Sequence, residues 1–226
     1  VWAPAPPAWS TAVTLGSVAL DPDFSATRVL YVLLLEPSPG RAKVDLVRLQ
    51  LKDDLSGVVG QRVVLTTTHA VGDPTPLGES PQMSGKVRVG PDGFLYIGLG
   101  DFGSGASPRS PLSLAGTVLR IVANGQPAPG NKPAAGADPR VFALGVQRPV
   151  GMVFQPNTED LVLAHQRPSM RSGLAVIRAG ADSGWPAGCP GDQAGPFRHQ
   201  GGADSGGRRN QHAGRTGSRR RVSCEG

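Results

Sequence analysis

The stretch SGKVRVGPDGFLYIGLGDFGSG, Ser84 to Gly105, decides the fold class of this chain. A turn sequence, Gly90-Pro91-Asp92-Gly93, separates two short apolar runs, and Asp101 follows the second run. Turn residues between runs rich in β-branched and aromatic residues are typical of a β-hairpin. The stretch therefore predicts two paired strands. It leaves open whether Asp101 has a structural or a chemical role.

Short apolar runs of the same kind fill most of the chain, among them RVLYVLLL, QRVVLTT, TVLRIV and LAVIRAG. Residues 43–51 alternate between apolar and charged side chains, as half-buried strands do. No window carries an apolar helical stripe over three turns. Several short strands separated by turn signals predict an all-β sandwich, barrel or propeller.

An internal repeat favours the propeller. VALDPDFSATRVLYVLL, VRVGPDGFLYIGLG and MVFQPNTEDLVLAH align on Pro22, Pro91 and Pro156, which are 69 and 65 residues apart. A strand–turn–strand unit that recurs at regular spacing is the signature of a repeat architecture. We predict three to four propeller blades. Because propellers close as rings of about four to eight blades, we expect a partial propeller. It is a fragment, a piece that assembles with another chain, or a protein whose sheet edges stay exposed and prone to aggregation.

Composition sets the domain limits. Residues 1–13 form a proline-rich, extended lead-in, residues 14–186 the partial β-propeller, and residues 187–226 a Gly/Arg-rich tail. The tail has seven Arg, no Lys and three acidic residues, so it carries +4 of the net charge of +6. It has too few apolar side chains to offset the entropy of ordering. We expect it to be disordered, and an out-of-frame translation is one hypothesis for its origin.

The same composition excludes several function classes. The positive charge belongs mostly to the tail and is not interleaved with aromatic residues, so we expect no nucleic-acid binding. No run of about 20 apolar residues is present, so we expect no membrane span, and without a basic-then-apolar leader we expect no signal peptide in this sequence. Cys189 and Cys224 lack metal-ligand spacing. They are interpreted as free thiols, with a disulfide as the alternative in an oxidising compartment.

Five stretches, in order, resemble the glucose/sorbosone dehydrogenases. They are SVALDPDFSATRVLYV, GKVRVGPDGFLYIGLGDFG, SLAGTVLRI with the following GNKP, DPRVFALGVQRPVGMVFQP and RAGADSGWP, and they cover residues 14–186. The resemblance implies a six-bladed quinoprotein glucose dehydrogenase fold, of which this chain has only part. It also implies a sugar substrate, the cofactor pyrroloquinoline quinone (PQQ) with calcium, and a periplasmic or secreted location.

The resemblance also identifies candidate catalytic residues. Family members carry His-x-Gly-Gly-Arg before the GPDG strand, and the His takes the proton of the sugar hydroxyl while hydride passes to the quinone. Here Gln82 stands at the His position and Lys86 at the Arg position. An amide cannot act as a base near neutral pH. Asp101 matches the family aspartate that orients this His; its structural alternative is to cap a turn.

Cofactor contacts are implied at further positions. The family's Gly-His-Arg-Asn-Pro motif aligns with Gly145 to Pro149, which makes Gln147 and Arg148 candidates alongside Lys86. His165 lies in the segment that matches Glu-His-Gly-Pro, and its alternative role is that of an ordinary strand-end histidine. No metal-ligating set is evident, because backbone carbonyls contribute to the calcium site of the family.

Three hypotheses follow from the sequence. The first is a PQQ-dependent aldose or sorbosone dehydrogenase that is weak or inactive because Gln82 replaces the general base. The second is a non-catalytic propeller that binds carbohydrate or a protein partner. The third is a truncated remnant of a dehydrogenase gene. Whether the chain is an enzyme, which sugar it takes and its oligomeric state stay open at this point.

Overall fold

The described residues form three sheets, in which all strand pairs but one are antiparallel. The structure is a computed structural model, and it describes residues 13–72, 84–103, 110–166 and 172–185. Residues 1–12 of the lead-in, the tail and Gln82 lie outside these ranges. Among the described residues the only helix is the four-residue α1, Phe24–Thr27. The all-β class predicted from the strand pattern is confirmed.

The first sheet is a four-stranded meander. It contains β1 (Thr14–Leu20), β2 (Val29–Ser38), β3 (Arg41–Leu51) and β4 (Val58–Ala70), in the order β1-β2-β3-β4. The alternating segment 43–51 forms most of β3, as its period-two pattern predicts.

The second sheet repeats this meander and gains a fifth strand. It contains β5 (Gly85–Val89), β6 (Leu95–Leu99), β7 (Val118–Ile121) and β8 (Val141–Leu144). The short β12 (Ala181–Asp182) pairs in parallel with β8. The chain thus returns to the second sheet after it has built the third.

The third sheet has three described strands, β9 (Arg148–Phe154), β10 (Leu161–Gln166) and β11 (Ser172–Ile177), in the order β11-β10-β9. Pro22, Pro91 and Pro156 each lie in the turn between the first two strands of a sheet. The proline repeat therefore marks one sheet per unit, and the described residues contain three such units. This arrangement agrees with the predicted partial propeller.

The opening stretch is the first hairpin of the second sheet. Its β5 and β6 pair in antiparallel register, with Lys86 opposite Gly98. The Oδ1 atom of Asp92 accepts the N–H of Phe94 at 3.1 Å, and Gly93 supplies the positive φ that the turn requires. Arg120 from β7 reaches the other oxygen of Asp92 at 2.7 Å, so the turn is also fixed from the neighbouring strand.

The second sheet is buried on both faces. Leu95, Ile97 and Leu99 of β6 pack in the core shared with the first sheet. Tyr96 packs in a second core, shared with the third sheet, which also contains Met152 and Leu163. Since successive strand residues point to opposite faces, this double burial explains why β6 is apolar throughout.

The first strands of the three sheets lie side by side. Strand β5 packs against both β1 and β9, and each of the three is the edge strand of its own sheet. Lys86 of β5 donates from Nζ to the carbonyl oxygen of Gly16 in β1 at 3.0 Å. Arg88 donates from Nε to the carbonyl oxygen of Met152 in β9, also at 3.0 Å. The two cations hold the inner strands together.

In the part of the chain that the structure describes, no helix is long and apolar enough to cross a membrane.

A glycine pair in the loop between β7 and β8 tests the contact between the first two sheets. Gly125 has φ +89°, and a Cβ there would lie 2.2 Å from the carbonyl oxygen of Val64 in β4; Gly130 has φ +81° and open space around it. We expect Gly130→Ala to cost about 1 kcal/mol of unfolding free energy from backbone strain alone. Gly125→Ala should cost a further 1–3 kcal/mol or so, because it also overpacks the contact with β4. Urea unfolding of both variants measures the difference, and equal losses would contradict the close approach.

Candidate functional site

The described candidate residues meet at one end of the second and third sheets. Asp101 follows the end of β6, and Lys86 is the second residue of β5. Arg148 begins β9, and His165 is the penultimate residue of β10. Because neighbouring strands are antiparallel, the start of one strand and the end of the next lie together. The backbone N–H of Asp101 donates to the carbonyl oxygen of Gln147 at 2.7 Å, which joins the two groups.

The carboxylate of Asp101 is buried and accepts two hydrogen bonds. Its Oδ1 accepts the backbone N–H of Gly103 at 3.0 Å, and its Oδ2 accepts the indole N–H of Trp185 at 2.8 Å. Burial raises the pKa of Asp101 above its usual value, and these two hydrogen bonds oppose that rise because they stabilise the charged form. The bond to Gly103 is the turn-capping role considered from the sequence. The bond to Trp185 is an additional role.

The backbone immediately before Asp101 is closely packed. The N–H of Gly100 donates to the carbonyl oxygen of Ser84 at 3.0 Å, and the N–H of Gly116 donates to that of Gly100 at 2.9 Å. A Cβ on Gly100 would lie 2.8 Å from the hydroxyl oxygen of Ser84 and 3.2 Å from the carbonyl oxygen of Gln147. Only glycine therefore lets these segments meet immediately before Asp101.

Gln147 lies just before β9 and Arg148 is the first residue of β9, and their side chains differ in their hydrogen bonds. Arg148 donates from Nη1 to the side-chain oxygen of Gln166 at 2.8 Å, whereas its Nε is buried without a hydrogen-bond partner. The Oε1 atom of Gln147 and the hydroxyl of Ser84 are also buried and unpartnered. Such groups cost free energy unless something else satisfies them. This end of the sheets therefore holds one unused donor atom, one unused acceptor atom and a hydroxyl.

Lys86 has a partner in the fold, the carbonyl oxygen of Gly16. Burial lowers the pKa of Lys86, and the neighbouring charges of Arg88 and Arg148 lower it further. This arrangement places two cationic side chains, Lys86 and Arg148, within electrostatic range of each other. A bound anion would relieve their repulsion.

His165 is buried within the third sheet. It lies opposite Pro149 of β9 and Gly173 of β11, and it is only 2% exposed. A Cβ on Gly173 would lie 3.2 Å from the Nε2 atom of His165, so the ring covers that glycine. The position agrees with the structural alternative stated for His165, and it is adjacent to Gln166, the partner of Arg148.

A second histidine, His69, packs beside the Asp101 loop. Its ring stacks on Phe102 with centroids 4.4 Å apart and an interplanar angle of 10°. Its Nε2 shares a 2.8 Å hydrogen bond with the hydroxyl of Thr67, and burial lowers its pKa to about 4. His69 is therefore neutral at pH 7. It lines a cleft of about 570 Å³ between the end of β4 and the loops at 111–115 and 136–140.

Within the described ranges, no group of three or more His, Cys, Asp or Glu side chains is placed to hold a metal ion.

The family model of the glucose/sorbosone dehydrogenases matches residues 10–208. The chain belongs to this family. The match takes in all three sheets together with every candidate residue named above.

Individual relatives support the assignment. Aldose sugar dehydrogenase YliI of Escherichia coli (strain K12) is 26% identical over 173 residues, which are 75% of this chain and 45% of the relative. A solved structure named glucose dehydrogenase has a TM-score of 0.65 at 26% identity and covers 75% of this chain and 48% of its own. The PQQ-bound form of aldose sugar dehydrogenase from Streptomyces coelicolor shares the fold, with a TM-score of 0.62 at 24% identity over 75% of this chain and 47% of its own. The chain thus spans about half the length of the relatives it matches.

The sequence interpretation missed two contacts of this site. Trp185 stands in the Gly-Trp-Pro of a stretch that resembles the family, but its bond to Asp101 spans 84 residues, and no local sequence pattern predicts such a bond. His69 matched no motif. The sequence signal for His69 was the alternating pattern of β4, which places His69 on the same strand face as Leu65 and Thr67.

Because His69 is buried in its neutral form, we expect the free energy of unfolding to depend on pH. Its pKa of about 4 lies below the ordinary value of 6.5, so the unfolded chain binds more protons between these two pH values. The stability that neutral His69 contributes is complete above pH 6.5 and is lost as the pH falls to about 4, to an extent of up to about 3 kcal/mol. We expect His69→Gln to flatten the pH dependence of the urea midpoint in this range. An unchanged slope in the variant would contradict the assignment.

Proposed function

We propose that this chain is a sugar dehydrogenase-type quinoprotein in which the end of the sheets around Asp101 forms part of a PQQ and sugar site. The substrate class is an aldose or related sugar, and the reaction of the site is oxidation of a sugar hydroxyl with hydride transfer to the quinone. The observation that carries the proposal is the buried Asp101 carboxylate, held by two donors beside the unpartnered atoms of Gln147 and Arg148.

The residues present fit an anionic quinone in part. PQQ carries three carboxylates, and charge-assisted bonds from arginine are the usual way to hold such groups. The free Nε of Arg148 can donate one of these bonds, and the hydroxyl of Ser84 can donate another. The Nζ atom of Lys86 has already donated one hydrogen to Gly16, but an ammonium group has two more. When bound, PQQ would accept the hydride, while the side chains of the chain bind and orient the reactants.

Removal of the proton from the sugar hydroxyl is the weak step of the proposed reaction. Gln82 replaces the family base, and loss of a general base typically removes about 10²- to 10⁴-fold of rate. The family aspartate acts by orienting this histidine, so Asp101 has no base to orient when position 82 is glutamine. We infer that sugar oxidation by this chain is weak or absent.

Three further features come with the family and are part of the proposal. A calcium ion would accompany PQQ, held partly by backbone carbonyls. The protein would act in the periplasm or outside the cell. Its partner would be a small sugar, with no role for nucleic acid.

A non-catalytic binding module is the second candidate. The amide at Gln82 favours it, because an amide can still donate to and accept from a sugar hydroxyl while being unable to take its proton. In that case the same end of the sheets would bind carbohydrate without oxidising it. A truncated remnant with no function is the remaining alternative.

Binding of PQQ tests the site directly. With calcium present, we expect saturable binding by calorimetry or by a shift in quinone absorbance, and we expect Arg148→Ala to weaken it about tenfold through loss of a charge-assisted bond. Arg178→Ala is the matched control, since the side chain of Arg178 is 66% exposed and pairs with Asp160 at the surface of the third sheet. Absence of saturable binding, or equal effects of the two variants, would remove the support for a cofactor site.

Dye reduction tests the catalytic part. We expect the chain with PQQ, calcium and glucose to reduce dye at or near background, and Gln82→His alone to leave this unchanged. The reason is that the chain spans about half the length of its relatives, so a single side chain does not complete the site. Clear glucose-dependent dye reduction by the Gln82→His variant would overturn this explanation and leave Gln82 as the sole defect.

A further inference from the structure

The segment after the third sheet returns to the Asp101 site. Residues 181–185, called the strap below, begin with β12, which pairs in parallel with β8 at Ala143 and Leu144. The N–H of Ser183 then donates to the carbonyl oxygen of Leu144 at 2.9 Å. The strap ends at Trp185, whose indole N–H donates to Asp101. The strap therefore joins the end of the third sheet to a carboxylate that follows the second strand of the second sheet.

The strap can dock only because position 145 is glycine. Gly145 has φ +73°, and a Cβ there would lie 2.3 Å from Oδ1 of Asp182, 2.8 Å from the backbone nitrogen of Gly184 and 3.0 Å from that of Ser183. Two of these three atoms belong to the backbone, so they cannot move aside as the end of a flexible side chain could. Any larger residue at position 145 would push the strap away from β8, and Trp185 would move with it.

The strap is also shaped to present the indole. Gly184 has φ +85°, and its N–H donates to Oδ1 of Asp182 at 2.8 Å, which closes a tight turn just before Trp185. The backbone N–H of Trp185 lies 3.3 Å from the carbonyl oxygen of Gly145. The tryptophan is thus fixed on its main chain as well as at its indole nitrogen.

We propose that Trp185 is a positioning residue for Asp101: the strap carries its indole N–H to the carboxylate and sets both the orientation and the proton affinity of that group. This inference rests on the proposed function, because it takes Asp101 as the carboxylate of the sugar site. Trp185 itself does not act on the substrate. Its effect passes through Asp101.

The two hydrogen bonds that Asp101 accepts have different effects on its carboxylate. The bond from Gly103 fixes one carboxylate oxygen, but rotation about the bond to the carboxyl group would still be possible with that contact alone. The indole N–H of Trp185 fixes the second oxygen and so removes this freedom. It also stabilises the charged form of a buried carboxylate, which burial alone would drive towards protonation. One lone pair on each oxygen is left for a further partner.

The indole N–H of Trp185 offers a direct signal of this contact. The chain has three tryptophans, Trp2, Trp9 and Trp185, so an NMR spectrum of ¹⁵N-labelled protein gives three indole signals. Trp2→Phe and Trp9→Phe identify the Trp185 signal without altering the strap. We expect that signal to titrate with a midpoint above 3.8, the ordinary value for aspartate, and we expect Asp101→Asn to abolish the titration. A Trp185 signal that does not titrate between about pH 3 and 8, or that titrates equally in Asp101→Asn, would overturn the proposal.

A second measurement reads the carboxyl group itself. In ¹³C-labelled protein, Trp185→Phe keeps an aromatic ring in place but removes the donor, so the pKa of Asp101 should rise by about one unit. An unchanged pKa would show that the indole does not set the proton affinity of Asp101.

Glycine variants test the strap without touching either partner. Gly145→Ala should remove the titration of the Trp185 signal because it displaces the strap. Gly136→Ala is the control, since Gly136 also has a positive φ, +77°, but has open space around it. None of these measurements needs PQQ or sugar. A chain that fails to bind PQQ but shows the titration would refute the proposed function and leave the role of Trp185 towards Asp101 standing.

Discussion

The packing of the three sheets depends on hydrogen bonds to backbone carbonyl groups between the strands β1, β5 and β9. Strands β1, β5 and β9 lie side by side, yet each is the edge of its own sheet, so carbonyl groups that face the neighbouring strands have no ladder partner. Lys86 and Arg88, two residues apart on β5, supply the missing donors to Gly16, Val18 and Met152. Each carbonyl left unsatisfied would cost about 1–3 kcal/mol. The cations of one short strand therefore hold together the end of the molecule on which the site is built.

This structural demand limits what the same cations can do in a site. The family resemblance makes Lys86 a candidate for binding the cofactor, but its Nζ atom donates to the carbonyl oxygen of Gly16. Burial and the neighbouring positive charges also lower the pKa of Lys86. A side chain that already joins two sheets can give a ligand only the hydrogens that the fold does not use. Arg148 differs, because one of its donor atoms is buried and unpartnered. Of the two, Arg148 is the better candidate to hold a carboxylate.

The fold was predictable where its signal was local. The three prolines mark the first turn of each sheet because strand, turn and strand follow directly along the sequence, and the turn-capping bond of Asp101 to Gly103 has the same local origin. Contacts that depend on how sheets pack were not predictable in this way. The stacking of His69 on Phe102 and the bond from Trp185 to Asp101 join segments 33 and 84 residues apart. Such pairs carry no spacing rule, and only the return of the strap to the second sheet brings Trp185 to its place.

Different physical requirements determine the structure of the site and its chemistry. Gly100 and Gly145 are required by close backbone approach, and Trp185 by a buried carboxylate that needs a donor. These requirements hold whether or not a sugar is ever oxidised. Proton removal, in contrast, depends on a titratable group at one position, and Gln82 provides none. The close packing around Asp101 is therefore evidence for the family fold, and ligand binding and turnover have to be established separately.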